Sequence, residues 1–209
     1  MYIPKENRVP LGTAQALLAR YDFGALVGVE DGTPVATHLP FLYRADGGPL
    51  GTLSAHLARA NPQSRMLEAA PTVLVVAQGP HGYVSPSWYS VHPSVPTWNY
   101  VAVHVTGRAR VVSDPARARA ILAELVDRYE SGREKPWTME LPGDYLERMM
   151  RAIVAFEVEV TSIEGKLKLS QNRTPEERQS VIRGLEESGD PLARELAAVM
   201  REHEEPGRP

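Results

Sequence analysis

The chain of 209 residues has no cysteine. That excludes disulfide scaffolds, thiolate metal sites and cysteine nucleophiles, and it fits a reducing compartment. Aromatic residues are scarce, at 7% of the sequence. No apolar run approaches the roughly 20 residues that span a bilayer. The opening MYIPKENRVP has no apolar h-region, so no secretory signal is expected and the predicted location is the cytoplasm. An excess of positive charge is missing too: the formal net charge is −3, which argues against whole-molecule attraction to nucleic acid. HExxH, GxSxG, Walker and GxGxxG motifs are all absent.

What is present is an ordinary globular composition, 43% hydrophobic and 23% charged, with enough length to bury a core. The spacing of Leu11, Ala14, Leu17 and Leu18 predicts a helix over 11–20. Apolar runs broken at Asp31-Gly32 and at ADGG, 45–48, predict a meander of strands near 23–29, 34–43 and 50–57. A short helix follows from about Ser64 to Ala69. The β-branched run PTVLVVAQ reads as a buried strand that Gly79-Pro80 ends, and GYVSPSWY as the start of another, broken by Pro86. SVHPSVPT is a loop. In WNYVAVHVTGRARVV, Tyr100, Ala102, His104 and Thr106 alternate with Val101, Val103 and Val105, which predicts a long central strand.

The second half brings helices. SDPARARAILAELVDRYES is capped at Ser113 or Asp114 with Pro115 in the first turn. PGDYLERMMRAI is shorter and starts near Pro142. VAFEVEVTSIEG alternates as a strand and KLKLSQNR continues it. Two further helices, 174–187 and 190–203, start at Thr174, with capping-box spacing to Glu177, and at Asp190. The closing EEPGRP is expected to fray. The order predicts a mainly β fold with peripheral helices, a small antiparallel barrel of about six or seven strands.

Chemistry-bearing residues cluster without declaring one reaction. Five of the six histidines lie between His38 and His104, yet no pair has zinc spacing, and such histidines more often satisfy core hydrogen bonds. Ser85 and Ser87 flank a proline near His81, but no triad order accompanies them. HLARANPQSR offers His56, Arg59, Asn61, Gln63 and Arg65 to a phosphate, although its composition alone reads as a solvated turn. Arg108, Arg110, Arg117 and Arg119 read as a solvated face. The last two helices carry about as many acids as bases, so direct DNA reading lacks support. The aromatic-rich stretch SPSWYSVHPSVPTWNYVAVHV suits either core filling or the wall of a site for a flat ring.

Six blocks in order carry a resemblance: MYIPKENR, ATHLPFL at 36–42, HLARANPQ at 56–63, QGPHGYVSPSWY at 78–89, VPTWNYVAVHVTGRARV at 95–111 and IEGKLKLSQNR at 163–173. Together they resemble the PaiB family of FMN-binding negative transcriptional regulators. The resemblance implies a split β-barrel similar to pyridoxamine-phosphate oxidases and flavin reductases, over residues 1–173, with a helical extension packed on it at 174–209. It implies a homodimer with FMN at the subunit interface, and a role in repressing protease and sporulation genes. Thr37, His38, Leu39 and Pro40 would meet the ring edge. His56, Arg59 and Asn61 would lie near ribityl and phosphate. Ser85, Ser87 and Trp88 would pass the flavin on a neighbouring strand, and Trp98, Asn99 and Tyr100 would close the pocket or build the dimer. Lys166, Lys168, Ser170, Gln171 and Asn172 would reach across the interface, a lysine there tuning the flavin potential. Leu167 stands where the family more often has an aromatic. Trp88, Tyr89, Trp98 and Tyr100 suit a barrel filling and a dimer seam as well. Two other functions stay open: an FMN-dependent oxidoreductase or flavin reductase acting on a small molecule, and a haem-binding split barrel.

Overall fold

The computed structural model describes residues 1–69 and 72–203. The first residue of the expected strand PTVLVVAQ and the tail expected to fray, 204–209, lie outside them. Among the described residues the elements run α1 (Leu11–Arg20), β1 (Phe23–Glu30), β2 (Thr33–Pro40), β3 (Leu42–Arg44), β4 (Thr52–Ala58), α2 (Gln63–Ala69), β5 (Thr72–Val84), β6 (Thr97–Val111), α3 (Pro115–Glu130), α4 (Gly143–Arg151), β7 (Ile153–Lys168), α5 (Pro175–Glu186) and α6 (Pro191–Glu202). The strands form one antiparallel sheet in the order β2-β1-β5-β6-β7-β4-β3. No helix among the described residues is long and apolar enough to cross a membrane.

The chain divides into two compact units. One comprises Leu18–Ala77 and His104–Ile163, the other Met1–Leu17, Gln78–Val103 and Glu164–Pro209. Strands β5, β6 and β7 therefore each give one stretch to each unit. In the first unit, β1 and β2 close on a two-residue turn, with Asp31 at φ 48° and Gly32 at φ 77°. Positive φ at both central residues matches the right-handed twist of the hairpin. Phe23 pairs with Pro40 and Glu30 with Thr33. The other side of β1 pairs with β5, from Gly24 opposite Ala77 to Val27 opposite Leu74. Strand β4 lies between β3 and β7. Helix α3 turns Ile121 and Leu125 onto Ala155.

In the second unit α5 and α6 bury Val181, Ile182, Leu185, Leu196 and Met200. A Cβ on Gly82 of β5 would meet Leu185 Cδ2 at 2.9 Å, so the bare backbone there lets α5 approach. Gly184 does the same for Trp88, whose ring would lie 2.4 Å from an added Cβ.

Two expectations are corrected. The single strand 34–43 is two, β2 and β3. Phe41 leaves the ladder because its N–H donates to Asp22 O at 2.8 Å and its ring is 1% exposed. Gly79-Pro80 does not end β5. The pairing with β1 runs only from Leu74 to Ala77, so Pro80 withholds no hydrogen bond from that neighbour. Odd-numbered residues are buried up to Gly79 and even-numbered ones from Pro80, a change of phase of the kind an extra residue makes.

Candidate functional site

The singled-out residues fall into two groups, one in each unit. In the first unit, Thr37, His38, Leu39 and Pro40 end strand β2. Leu39 is buried and His38 exposed, its ring stacked 6.4 Å from that of Phe23. Asn61 is placed by the start of α2: its Oδ1 accepts from Gln63 N at 3.0 Å, and its Nδ2 donates to Thr37 Oγ1 at 2.9 Å. Thr37 and Asn61 are thus brought together. Arg59 is held otherwise, its guanidinium donating to Arg151 O and Ile153 O, each at 2.8 Å. His56 on β4 buries an Nδ1 that has no hydrogen-bond partner. Burial pushes its pKa below the ordinary histidine value, so the ring is neutral at neutral pH.

The second unit holds the larger group. At the end of β5, Ser85 Oγ accepts from Ser87 N at 3.2 Å and caps a short turn, Pro86–Trp88. The Trp88 ring packs against Gly184 of α5. On β6, Trp98 is 52% exposed and Asn99 wholly buried, as strand alternation requires. Asn99 Nδ2 donates to Ser170 Oγ at 2.9 Å, while its Oδ1 is buried without a partner. Ser170 sits at φ 60°, a left-handed conformation uncommon for a residue with a side chain. Gln171 fastens the turn around it: Oε1 accepts from Leu169 N at 2.7 Å and Nε2 donates to Leu167 O.

The lysines differ. Lys166 is buried, donates to Tyr2 O at 3.2 Å and lies 5.0 Å from the centre of the Tyr100 ring. Lys168 donates to Thr97 Oγ1. Burial lowers the Lys168 pKa; the Tyr100 charge opposes this and the Lys166 charge adds to it. A pocket of about 280 Å³ opens here, lined by Thr97, Asn99, Lys168, Ser170, Gln171 and Asn172 together with Tyr89 and Arg173. The Arg173 guanidinium lies 3.8 Å from the centre of the Tyr89 ring.

This donor set fits a polyol phosphate. It has two cations, Lys168 and Arg173, against one carboxylate, Glu6, and a row of amides and hydroxyls; Arg173 also lies 3.8 Å from Glu177. The unpartnered Asn99 Oδ1 calls for a donor such as a ribityl hydroxyl. The volume lies just under the roughly 300–1,000 Å³ of whole ligand pockets. It suits the stem of a flavin nucleotide better than the stem and ring together. Sequence reasoning missed Thr97, Tyr89 and Arg173. Thr97 was accessible, since it shares a strand face with Asn99. Arg173 needed the fold, which brings the turn after β7 beside Tyr89.

Residues 1–162 match the family described as "Putative FMN-binding domain". The chain is 38% identical over 207 residues to the protease synthase and sporulation protein PAI 2 of Bacillus subtilis, with 97% of each chain covered. Among solved structures, the FAD and heme binding protein of Mycobacterium smegmatis is similar at a TM-score of 0.58 and 21% identity, over 81% of this chain and 76% of that one. The flavocytochrome Anf3 of Azotobacter vinelandii is similar at 0.56 and 20% identity, over 78% and 67%. These two likenesses concern the fold, a mainly β split barrel with peripheral helices.

Proposed function

This chain belongs to the PaiB family of FMN-binding proteins, and from that premise we propose a homodimer that holds FMN at the subunit seam and acts as a negative regulator of gene expression. The cofactor is FMN. When bound, it supplies reversible redox chemistry at its ring. Lys168 and Arg173 hold the phosphate end. Thr97, Asn99, Ser170 and Asn172 take the ribityl hydroxyls, and Gln171 keeps their turn in shape. Lys166, 5.0 Å from the centre of the Tyr100 ring, favours negative charge on the ring edge. His38, Leu39 and Pro40, in the other unit, form a separate group at the end of β2. Asn61 and Thr37 support that strand end. Ser85, Ser87 and Trp88 shape the turn that carries Tyr89.

The observation that carries this reading is the buried, unpartnered Asn99 Oδ1 in a pocket with two cations. The regulatory part rests on PAI 2, a relative named for protease synthesis and sporulation. It does not rest on DNA reading by α5 and α6. Their outward residues include Glu176, Arg183, Glu186, Arg194, Glu195 and Arg201, and Arg201 is paired with Glu186 at 2.7 Å. That face is charge-balanced, unlike a basic recognition helix.

The test is the absorbance spectrum of the purified full-length chain with and without added FMN, together with its mass in solution. A yellow protein of twice the chain mass is expected, and Lys168→Ala should weaken FMN binding at least about tenfold, roughly 1.4 kcal/mol. A colourless protein that takes up no FMN would overturn the reading. Flavin-dependent NAD(P)H turnover would replace the regulator with an oxidoreductase, and a Soret band with a haem protein.

A further inference from the structure

The first unit has a depression that shares no residue with the flavin pocket. Helices α3 and α4 flank it, and it holds about 460 Å³, within the range of small-molecule sites. Pro115, Leu141, Leu146 and Met150 form its apolar wall. A smaller depression of about 230 Å³ adjoins it, sharing Pro115, Met150 and Arg151 and extending the wall over Val112, Ala118 and Ala155.

The charges along this trough are unequal. Arg119 and Arg151 line the larger part, and Arg59 the smaller. Among the described residues Glu147 is the one carboxylate in the lining. It lies 3.7 Å from Arg151, and both side chains are at least 70% exposed, so the pair is weak. Arg59 uses its Nε and Nη2 on backbone carbonyls. Arg119 makes no hydrogen bond or ion pair among the described residues. Three guanidiniums thus border one apolar wall, and a guanidinium's planar fork matches a carboxylate.

We propose that this trough binds an amphipathic carboxylic acid, its head among Arg119, Arg151 and Arg59 and its aliphatic or aromatic body on Leu141, Leu146 and Met150. The site is independent of the flavin. Octanoate is the probe, titrated calorimetrically into the FMN-loaded full-length protein, with octanol and inorganic phosphate as separate arms. Octanoate should bind, and neither octanol nor phosphate should match it. Arg119→Ala and Arg151→Ala should each weaken octanoate by about fivefold or more, and Glu147→Gln should strengthen it, a gain that misfolding does not produce. The flavin spectrum should not change. No octanoate binding, equal binding of octanol or phosphate, unaltered affinity in all three variants, or release of FMN by octanoate would each overturn the proposal.

Discussion

His56 shows how one side chain makes stability depend on pH. Its Nδ1 is buried without a partner, as is the Oγ of Ser54 two residues earlier on the same face of β4. Burial lowers the folded-state pKa of His56, whereas the unfolded chain keeps the ordinary value of about 6.5. Well above that pH both states carry a neutral ring and His56 adds no pH dependence. As the pH falls through about 6.5 the unfolded chain takes up the proton first, so stability declines until the folded ring also protonates. His56→Phe keeps a ring and removes the titration. Its urea midpoint should fall less steeply with pH below about 6.5 than that of the parent protein. Parallel pH profiles for the two would show that His56 does not contribute. Lys168 presents the opposite charge problem: its burial disfavours the cation, and an anionic phosphate beside it would restore what burial takes away.

Three helices share one starting device. Asp114, Thr174 and Asp190 each accept a hydrogen bond from a first-turn N–H, and a proline follows each. Arg117 stands in the first turn of α3. That guanidinium joins Glu157 of β7 at 2.6 Å and Glu124 at 2.9 Å, and both carboxylates raise its pKa. Asp114→Ala should cost about 1 kcal/mol and lower the melting temperature by about 2–4 °C, measurable by calorimetry. A loss under a few tenths would mean that water replaces the cap. Elements of this kind were legible because their signals are local: a capping residue, a proline, or the alternation from Trp98 to Val111. The breaks were not legible because their causes are distant in sequence. Phe41 leaves its strand for Asp22, and β5 continues through Pro80 because β1 stops pairing at Ala77. The site follows the same rule. Lys168, Ser170 and Asn172 stand in one short segment, 163–173, but the bond between Asn99 and Ser170 spans 71 positions, and only the sheet brings them together.

The proposed homodimer has a candidate seam in the aromatic surface of the second unit. Trp98 is 52% exposed and Tyr83 48%, and their rings meet edge to face at 6.1 Å, with His81 at 6.2 Å from Trp98. Two large aromatic side chains half in water are poorly placed in a monomer. They suit the centre of a protein interface, where tryptophan and tyrosine are enriched and charge is depleted. If this cluster is the seam of the proposed homodimer, removing it should separate the subunits without unfolding them, because neither side chain is buried in the core. Trp98→Ala combined with Tyr83→Ser should convert the dimer to a monomer at micromolar concentration, as read by sedimentation equilibrium. FMN binding should weaken with it, since a pocket of about 280 Å³ is small for a whole flavin nucleotide and needs walls from elsewhere. A variant that stays dimeric and yellow would place the seam on another face. One that turns monomeric yet keeps its full FMN affinity would show that each subunit holds the cofactor alone.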